Sequence, residues 1–267
     1  MPKLNAYQLK WIAIIDMMFF HTAYFFQDIF PLWLMIPLIG AGGFAFPIMG
    51  YFVVEGYKHT SNLKMYILRL LIFGTIAIPF YTMVLGLFRF NILFAIAVSL
   101  MLLALHDRIE FKPLYWLIHV IVSIPMLMLF DWLFFAPLVV MMYRHIKNET
   151  ARRVVPGVVS GVLWMTLSLA ALFGVLAVNP YIGTEYEIYV IAQRDMIYSL
   201  MGNTNAIIAS LFLPFACVIA AFLIKNFNGE RGKKAKWLFY AFYPLHLMVI
   251  ALVGVLFGVI DFGVFGF

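Results

Sequence analysis

Long apolar runs separated by short polar segments dominate this chain. The runs at 154–178 and 207–224 are continuous rather than alternating, and each is about long enough to cross a bilayer as a helix. A span in lipid must satisfy its own backbone hydrogen bonds, so it is a helix or part of a closed barrel, and barrel strands would alternate over about ten residues. The pattern therefore predicts an all-α, polytopic integral membrane helical bundle.

A length of about 20 residues per crossing predicts about nine transmembrane helices, with a range of eight to ten. The predicted spans are 8–27, 31–55, 64–87, 90–106, 113–130, 132–144, 154–178, 204–225 and 236–260. The stretch 113–144 is one or two crossings, because the piece after Asp131 is short for a span. The long polar connection 179–203 is expected to form a lid or an interfacial helix. We expect one transmembrane domain over residues 1–267.

The second predicted helix contains residues that interrupt a helix. Pro37 and Pro47 each remove a backbone hydrogen bond, and Gly40, Gly42 and Gly43 between them add flexibility. A broken helix at membrane depth is tolerated where its freed backbone is buried in protein or lines a wet cavity. The pattern predicts a kinked or broken helix, which serves either close packing or a cavity.

Composition and charge support this class and give an orientation. The chain is 65% hydrophobic and 11% charged, whereas soluble domains are about 25% charged. If the N-terminus is cytoplasmic, only Arg89 and Arg194 of the 18 Lys and Arg residues lie outside, leaving 16 toward the cytoplasm. This positive-inside asymmetry predicts a multi-pass protein of the cell (inner) membrane. It also explains the net charge of +6, so we expect lipids rather than nucleic acid as partners.

Several other classes find no support in the sequence. Cys217 is the single cysteine, which excludes a disulfide framework and a cysteine-based metal site. No H-x-x-x-H spacing occurs, and no metal is expected. The first apolar run contains Asp16 and His21 and lacks a small-residue cleavage site, so it is expected to be a retained helix rather than a signal peptide.

Six ionisable residues interrupt the apolar stretches. A titratable group at membrane depth costs roughly 2.5–3.5 kcal/mol on insertion scales, so each one needs a partner or a function. They are Asp16, His21, Glu55, Arg69, His119 and His246.

His21 is the candidate general base, and His246 is a second buried histidine expected near it. Asp16 and His21 are five residues apart and point about 140° away from each other on a helix, so a simple Asp–His pair is not expected. Tyr243 and His246 share one face of the last helix. The two histidines are expected at similar depths, about 18 and 15 Å from the cytoplasmic ends of their helices, and therefore in one polar pocket. The alternative is a neutral histidine that bonds to a neighbouring helix.

A polar cluster is expected at the cytoplasmic mouth. Glu55 and His59 share a helix face, and Arg69 lies about a turn into the next span. An arginine there should pair with an acid or receive an anion such as a phosphate. The structural alternative is a Glu55–Arg69 ion pair between adjacent helices. The expected cluster comprises Glu55, Lys58, His59, Asn62, Lys64 and Arg69.

Several motifs resemble those of the TraX family over nearly the whole chain. They are Leu9-Lys10-x-Ile12-Ala13 before a histidine, the run from Phe46-Pro47-Ile48 through Val54-Glu55-Gly56-Tyr57-Lys58-His59-Thr60-Ser61-Asn62 to Tyr66 and Arg69, Asn91-Ile92-Leu93-Phe94, and Tyr243-Pro244-Leu245-His246-Leu247. That family is named for the pilin N-acetyltransferase of conjugative plasmids. It is similar in character to membrane acyltransferases that use acyl-CoA. Its first helix commonly reads Asp-His, whereas Phe20 precedes His21 here and Asp16 lies a turn earlier.

The resemblance implies an acyl-CoA-dependent N- or O-acyltransferase. The catalytic residues are then expected to be His21, Asp16, His246 and Tyr243. The cluster at the cytoplasmic mouth would bind the phosphates of acetyl-CoA, and the acceptor would be the amine or hydroxyl of a peptide N-terminus, a glycan or a lipid. Two alternatives remain open on the residues alone: a proton-coupled transporter or flippase, and a non-enzymatic membrane scaffold.

Overall fold

The computed structural model describes residues 3–85, 89–130, 135–184 and 186–259, and every regular element within these ranges is helical. The helices are α1 (Ala6–Phe25), α2 (Leu32–Ala41), α3 (Ala45–His59), α4 (Leu63–Leu85), α5 (Ile92–Arg108), α6 (Lys112–Leu129), α7 (Phe135–His145), α8 (Glu149–Val178), α9 (Glu187–Met201), α10 (Thr204–Ser210), α11 (Leu213–Lys225) and α12 (Lys236–Leu256). The expected all-α class is confirmed.

The predicted number of crossings is not confirmed. Among the described residues, five helical segments are long and apolar enough to cross a membrane. They are Leu32–His59, Leu63–Leu85, Glu149–Tyr181, Thr204–Lys225 and Lys236–Leu256. The other predicted spans are interrupted or short: α1 contains Lys10 and Asp16, α5 has 17 residues and α7 has 11.

The stretch predicted as one or two crossings forms two helices. α6 ends at Leu129 and α7 begins at Phe135. The predicted division point, Asp131, lies outside the described residues, as do residues 86–87 and 260 at the ends of two predicted spans. The long polar connection contains a helix, α9, as expected. Its Ile188 and Tyr189 side chains are strongly exposed, so this helix lies on the surface of the bundle.

The second span is broken, as its glycines and prolines predict. α2 ends at Ala41 and α3 begins at Ala45. Gly43 lies in the break against α11, where an added Cβ would overlap the carbonyl oxygen of Leu213 and lie 2.9 Å from the Cβ of Ala216. Glycine therefore allows the break to pack directly on the neighbouring backbone.

The helices pack around one large core and two smaller ones. The largest joins α1, α3, α4, α5, α7 and α12, and its most deeply buried residues include Leu9, Ile48 and Leu100. Gly157 lets α8 approach α11 closely, because a Cβ there would lie 2.8 Å from the Cβ of Ala221. The exposed apolar face of α6, which includes Leu117, is suited to contact lipid chains.

The helix order gives the bundle two ends of different character. The basic end is where α1, α4, α8 and α12 begin and α3, α5, α7 and α11 end. Its loops are tied together by the Leu4 backbone, which bonds to Asn226 and Asn228, and by Tyr57 and Arg144, which both donate to Asp107. The opposite, distal end holds Gln27, whose side chain accepts from the backbone of Asn203.

Candidate functional site

His21 on α1 and His246 on α12 form a buried pair inside the bundle. His21 Nδ1 lies 2.9 Å from His246 Nε2, and the ring centroids are 5.1 Å apart. The two side chains are 3% and 5% exposed. The expected shared location of the two histidines is therefore confirmed. The bond joins two residues that are 225 positions apart in the sequence.

The surrounding backbone determines which ring nitrogens of this pair carry a proton. His246 Nδ1 lies 3.0 Å from the carbonyl oxygen of Phe242, which can only accept, so Nδ1 holds the proton and Nε2 has the lone pair. His21 Nδ1–H must then donate to His246 Nε2. This arrangement leaves a lone pair on His21 Nε2. A neutral His21 with a free ring nitrogen is the form that a general base needs.

Aromatic rings surround the two histidines. Phe242 stacks on His246 with centroids 5.0 Å apart, and Phe20 meets His21 edge-on at 5.7 Å. Tyr243 contacts both rings edge-on, at 5.3 Å from His246 and 6.2 Å from His21. The predicted catalytic residues His21, His246 and Tyr243 are therefore brought together in a low-polarity environment, where a hydrogen bond is stronger than in water.

Asp16 is placed elsewhere, at the break between α2 and α3. Its Oδ2 accepts a hydrogen bond of 2.9 Å from the backbone N–H of Ala45, the first residue of α3. Its side chain is buried, and Oδ1 has no partner among the described residues. A carboxylate at a helix N-terminus satisfies a free backbone donor and interacts favourably with the helix dipole. Asp16 thus compensates for the break and does not contact His21.

A large basic cleft opens at the basic end of the bundle. Its volume is about 890 Å³, and α1, α3, α4, α8 and α12 contribute to its lining. Its cations are Lys10, Arg69, Arg152, Arg153, Arg231, Lys233 and Lys236. Of the predicted cluster, Glu55, His59, Asn62 and Arg69 line the cleft, whereas Lys58 and Lys64 are not among the lining residues.

Ion pairs on one wall of the cleft centre on Glu55. Its Oε1 lies 3.0 Å from Lys58 Nζ and 3.3 Å from Arg152 Nη1, and its Oε2 lies 3.8 Å from His59. The alternative ion pair between Glu55 and Arg69 does not form. Arg152 on α8 takes the place of Arg69, and it also pairs with Glu149 at 2.7 Å.

Arg69 has no carboxylate within ion-pair distance among the described residues. Its guanidinium lies over the Tyr240 ring, 5.8 Å from the centroid, and its Nε is buried without a hydrogen-bond partner in that part of the chain. A guanidinium has five N–H donors in a fixed fork that fits phosphate oxygens. Arg69 therefore has guanidinium donors that an anion in the cleft can use.

The sequence interpretation missed most cations of the cleft. Lys10 is on α1, where its Nζ lies 5.0 Å from the centre of the Phe52 ring. Arg153, Arg231 and Lys233 belong to the polar segments 145–153 and 226–235, which the charge asymmetry had placed on the cytoplasmic side. The signal for them was present in that asymmetry. Only the fold shows that these distant segments face one cleft.

A second, distal cavity of about 350 Å³ lies toward the other end of the bundle. Its lining is mostly apolar, with Phe20 and Tyr24 from α1 and Leu200 and Met201 from α9. Arg89 is the one charged residue among the lining side chains. The cavity is therefore suited to an apolar ligand rather than to a multiply charged one.

The histidine pair lies at the level of the distal cavity. On α1, Lys10 lines the cleft, and His21 follows about 16 Å farther along the helix, next to Phe20 of the distal cavity. On α12, Tyr240 lines the cleft and His246 lies about 9 Å beyond it. Neither histidine lines either cavity. The pair is therefore buried beside the distal cavity, against its lining residue Phe20.

The fold and this site define a helical membrane protein with a basic cleft at one end, an apolar cavity at the other, and a buried histidine pair beside that cavity. The chain belongs to the TraX family, since the family described as TraX protein matches residues 5–254. The sequence is also 27% identical over 261 residues to the probable fimbrial assembly protein FimC, serogroup H1, of Dichelobacter nodosus, covering 92% of this chain and 94% of that protein. No solved structure matches the chain significantly.

Proposed function

We propose that this protein is a membrane-embedded acyltransferase that moves an acetyl group from cytoplasmic acetyl-CoA to an amine or hydroxyl acceptor. The observation that carries the proposal is the buried His21–His246 pair beside an apolar cavity, in a bundle whose other end holds a basic cleft. Family membership supports the same chemistry, because the TraX family resembles acyl-CoA-dependent membrane enzymes. The excess of positive charge at the basic end favours a cytoplasmic position for the cleft, in an inner membrane.

The basic cleft binds the phosphates of the CoA moiety in this proposal. Arg69, Arg153 and Arg231 are guanidinium groups on three different segments of its wall. Separate phosphates can therefore be held by separate cations through charge-assisted hydrogen bonds. Glu55 and Glu149 neutralise Arg152 and keep its side chain in place, and Glu149 also pairs with Arg153 at 2.7 Å. Arg69 is the predicted main contact, because it is a guanidinium on the cleft wall whose buried Nε has no hydrogen-bond partner among the described residues.

The thioester arm then extends from the cleft toward the histidine pair. On α12 it passes Tyr240 and must advance about 9 Å to reach the level of His246. The break between α2 and α3 and the proline in α12, Pro244, are the places where the backbone departs from regular helix near this path. Entry of the arm requires the side chains between Tyr240 and His246 to move aside, since neither histidine lines the cleft.

His21 is the general base of the proposed transfer. The acceptor nitrogen or oxygen attacks the thioester carbonyl carbon while its proton passes to His21 Nε2. The carbon–sulfur bond then breaks, and the acetyl group remains on the acceptor. CoA leaves as a thiolate, which takes the proton back from the His21 imidazolium. Every proton and electron pair is accounted for without a metal.

His246 and Tyr243 assist His21 in this scheme. His246 Nε2 accepts from His21 Nδ1–H, so it orients the base and stabilises the imidazolium that forms. Tyr243 contacts both rings, and we assign its O–H to the thioester carbonyl oxygen, where negative charge develops. Asp16 acts as a positioning residue, because it holds the start of α3 rather than the reacting groups.

Transfer of labelled acetyl groups tests the proposal. Membranes that contain the full chain are incubated with acetyl-CoA labelled in the acetyl group. The label that an added thiol can no longer remove is then measured, because it has left the thioester for an amine or hydroxyl. We expect incorporation by the natural protein and its loss in His21→Ala, while His119→Ala serves as the histidine control. His119 is buried but bonds Tyr115 on its own helix, away from the pair. Full incorporation by a folded His21→Ala protein would show that the base is assigned wrongly.

A proton-coupled transporter is the second candidate function. Two cavities toward opposite ends, with a titratable pair buried inside the bundle, also fit alternating access to a central site. This function predicts substrate flux that depends on a proton gradient, with no acetylated product. Acetyl transfer by the purified protein in the absence of a gradient excludes it.

A further inference from the structure

Arg89 has an unusual environment at the distal cavity. Its Nη2 donates to the backbone carbonyl of Ser199 on α9, at 3.2 Å, and its Nε is buried without a hydrogen-bond partner in the described ranges. No carboxylate of those ranges lies within ion-pair distance of it. By contrast, Arg194 on α9, at the same end of the bundle, has a carboxylate neighbour: its Nε lies 3.6 Å from Asp195 Oδ1. Arg89 therefore brings donors to the cavity that the described protein groups leave unused.

The rest of the cavity lining is apolar. Ile39, Leu85, Leu167 and Ala171 provide hydrocarbon, and no acidic side chain is present among the lining residues. A buried guanidinium is stabilised by an anion, and a carboxylate or phosphate matches its fork geometry. The complementary ligand is therefore an apolar body with one anionic group.

The position of the cavity relates this ligand to the reaction. Phe20 lines the cavity and contacts the His21 ring edge-on, so one part of the cavity adjoins the proposed base. Arg89 follows α4 at the distal end and bonds α9, which covers that side. A ligand that contacts Arg89 with its anionic group can place its other, apolar end toward His21.

We propose that the distal cavity is the acceptor site and that Arg89 selects acceptors with a carboxylate or phosphate. In such an acceptor, an apolar stretch separates the anionic group from the amine or hydroxyl that receives the acetyl group. This inference rests on the proposed acyl transfer and adds the chemical class of its acceptor. The basic cleft and the distal cavity then bind two substrates from opposite ends.

Binding of matched eight-carbon probes tests this assignment. Octanoate, octylamine and octan-1-ol share an apolar body and differ in the head group. We expect octanoate to bind the full chain in nanodiscs at least about tenfold more tightly than octan-1-ol, and octylamine to show no such gain. Empty nanodiscs provide the correction for partition into lipid. Equal affinities for the three probes would overturn the proposal.

Variants locate the binding to the distal cavity. Arg89→Gln should abolish the preference for octanoate, and Arg89→Lys should retain part of it. Ala170→Phe, at an exposed position of the lining, should weaken all three probes by filling the cavity. Arg69→Gln, in the basic cleft, should leave the preference unchanged. An Arg89→Gln protein that still prefers octanoate, or an Arg69→Gln protein that loses the preference, would contradict the assignment.

The source of the anion and the proposed function are distinguished in the same preparations. Phosphatidate added to phosphatidylcholine nanodiscs should compete with octanoate if the acceptor is a membrane lipid. It should not compete if the acceptor is an apolar segment that enters from outside the membrane. CoA binding is measured on each sample. If the natural protein binds CoA but shows no preference for octanoate, only the acceptor assignment is rejected. If the natural protein does not bind CoA, the proposed acyltransferase function is rejected.

Discussion

Asp16 on α1 receives a hydrogen bond from the backbone N–H of Ala45, where α3 begins after the break in the second span. The bond links two helices through a donor that no residue of α3 itself could satisfy. It explains how the bundle tolerates a broken helix near its centre. It also explains why Asp16 can lie a turn away from His21 and still be buried.

Loss of this contact should destabilise the fold. Asp16→Ala leaves the Ala45 N–H unsatisfied, and such a loss costs about 1–3 kcal/mol in the free energy of unfolding. Asp16→Asn keeps an oxygen acceptor and should cost less. Thermal unfolding of the two variants in detergent measures the difference. Equal losses in both would show that the carboxylate charge, rather than the hydrogen bond, is what α3 requires.

His246 should matter less for turnover than His21. His246→Phe removes the acceptor for His21 Nδ1–H but keeps a ring that can stack on Phe242. A misoriented base retains part of its effect, and a general base contributes typically 10²–10⁴-fold. We therefore expect acetyl transfer to fall below the natural rate but to exceed that of His21→Ala. A His246→Phe protein with the natural rate would remove His246 from the mechanism.

Asp107 should contribute to stability against acid. Partial burial opposes ionisation, but hydrogen bonds from Tyr57 and Arg144 prevail and hold the pKa of Asp107 below its usual range. A carboxyl group with a lowered pKa in the folded state stabilises the protein above the ordinary pKa, about 3.9, and loses that contribution as the pH falls toward the folded value. Asp107→Asn should therefore lower the unfolding temperature at pH 7 and reduce its dependence on pH in the acid range. An unchanged acid dependence would contradict the role of this network.

The sequence predicted the elements of the site better than their connections. Hydrophobic runs located most helices, and the spacing of prolines and glycines located the break before α3. The similar depths of His21 and His246 predicted a shared location, although not the direct hydrogen bond between them. The partners of Glu55 and Asp16 could not be predicted, since Arg152 and Ala45 lie in distant segments whose approach depends on how helices pack.

The number of crossings was the weakest prediction. Length and hydropathy treat each apolar run as an independent span. In the structure, α7 has only 11 residues and α1 contains Lys10 and Asp16, so neither is identified as a span by length and hydropathy alone. The cations of the cleft illustrate the same limit, because Lys10, Arg153 and Arg231 converge only in three dimensions.

The most direct test of the central claim is calorimetric titration of acetyl-CoA into the purified full-length protein, beside Arg69→Gln and Lys64→Gln. Both variants remove one positive charge, but Arg69 lines the cleft whereas Lys64 is exposed outside it. The account predicts saturable binding that Arg69→Gln weakens at least about tenfold and Lys64→Gln leaves nearly unchanged. Absence of binding to the folded natural protein, or equal effects of the two variants, would contradict it.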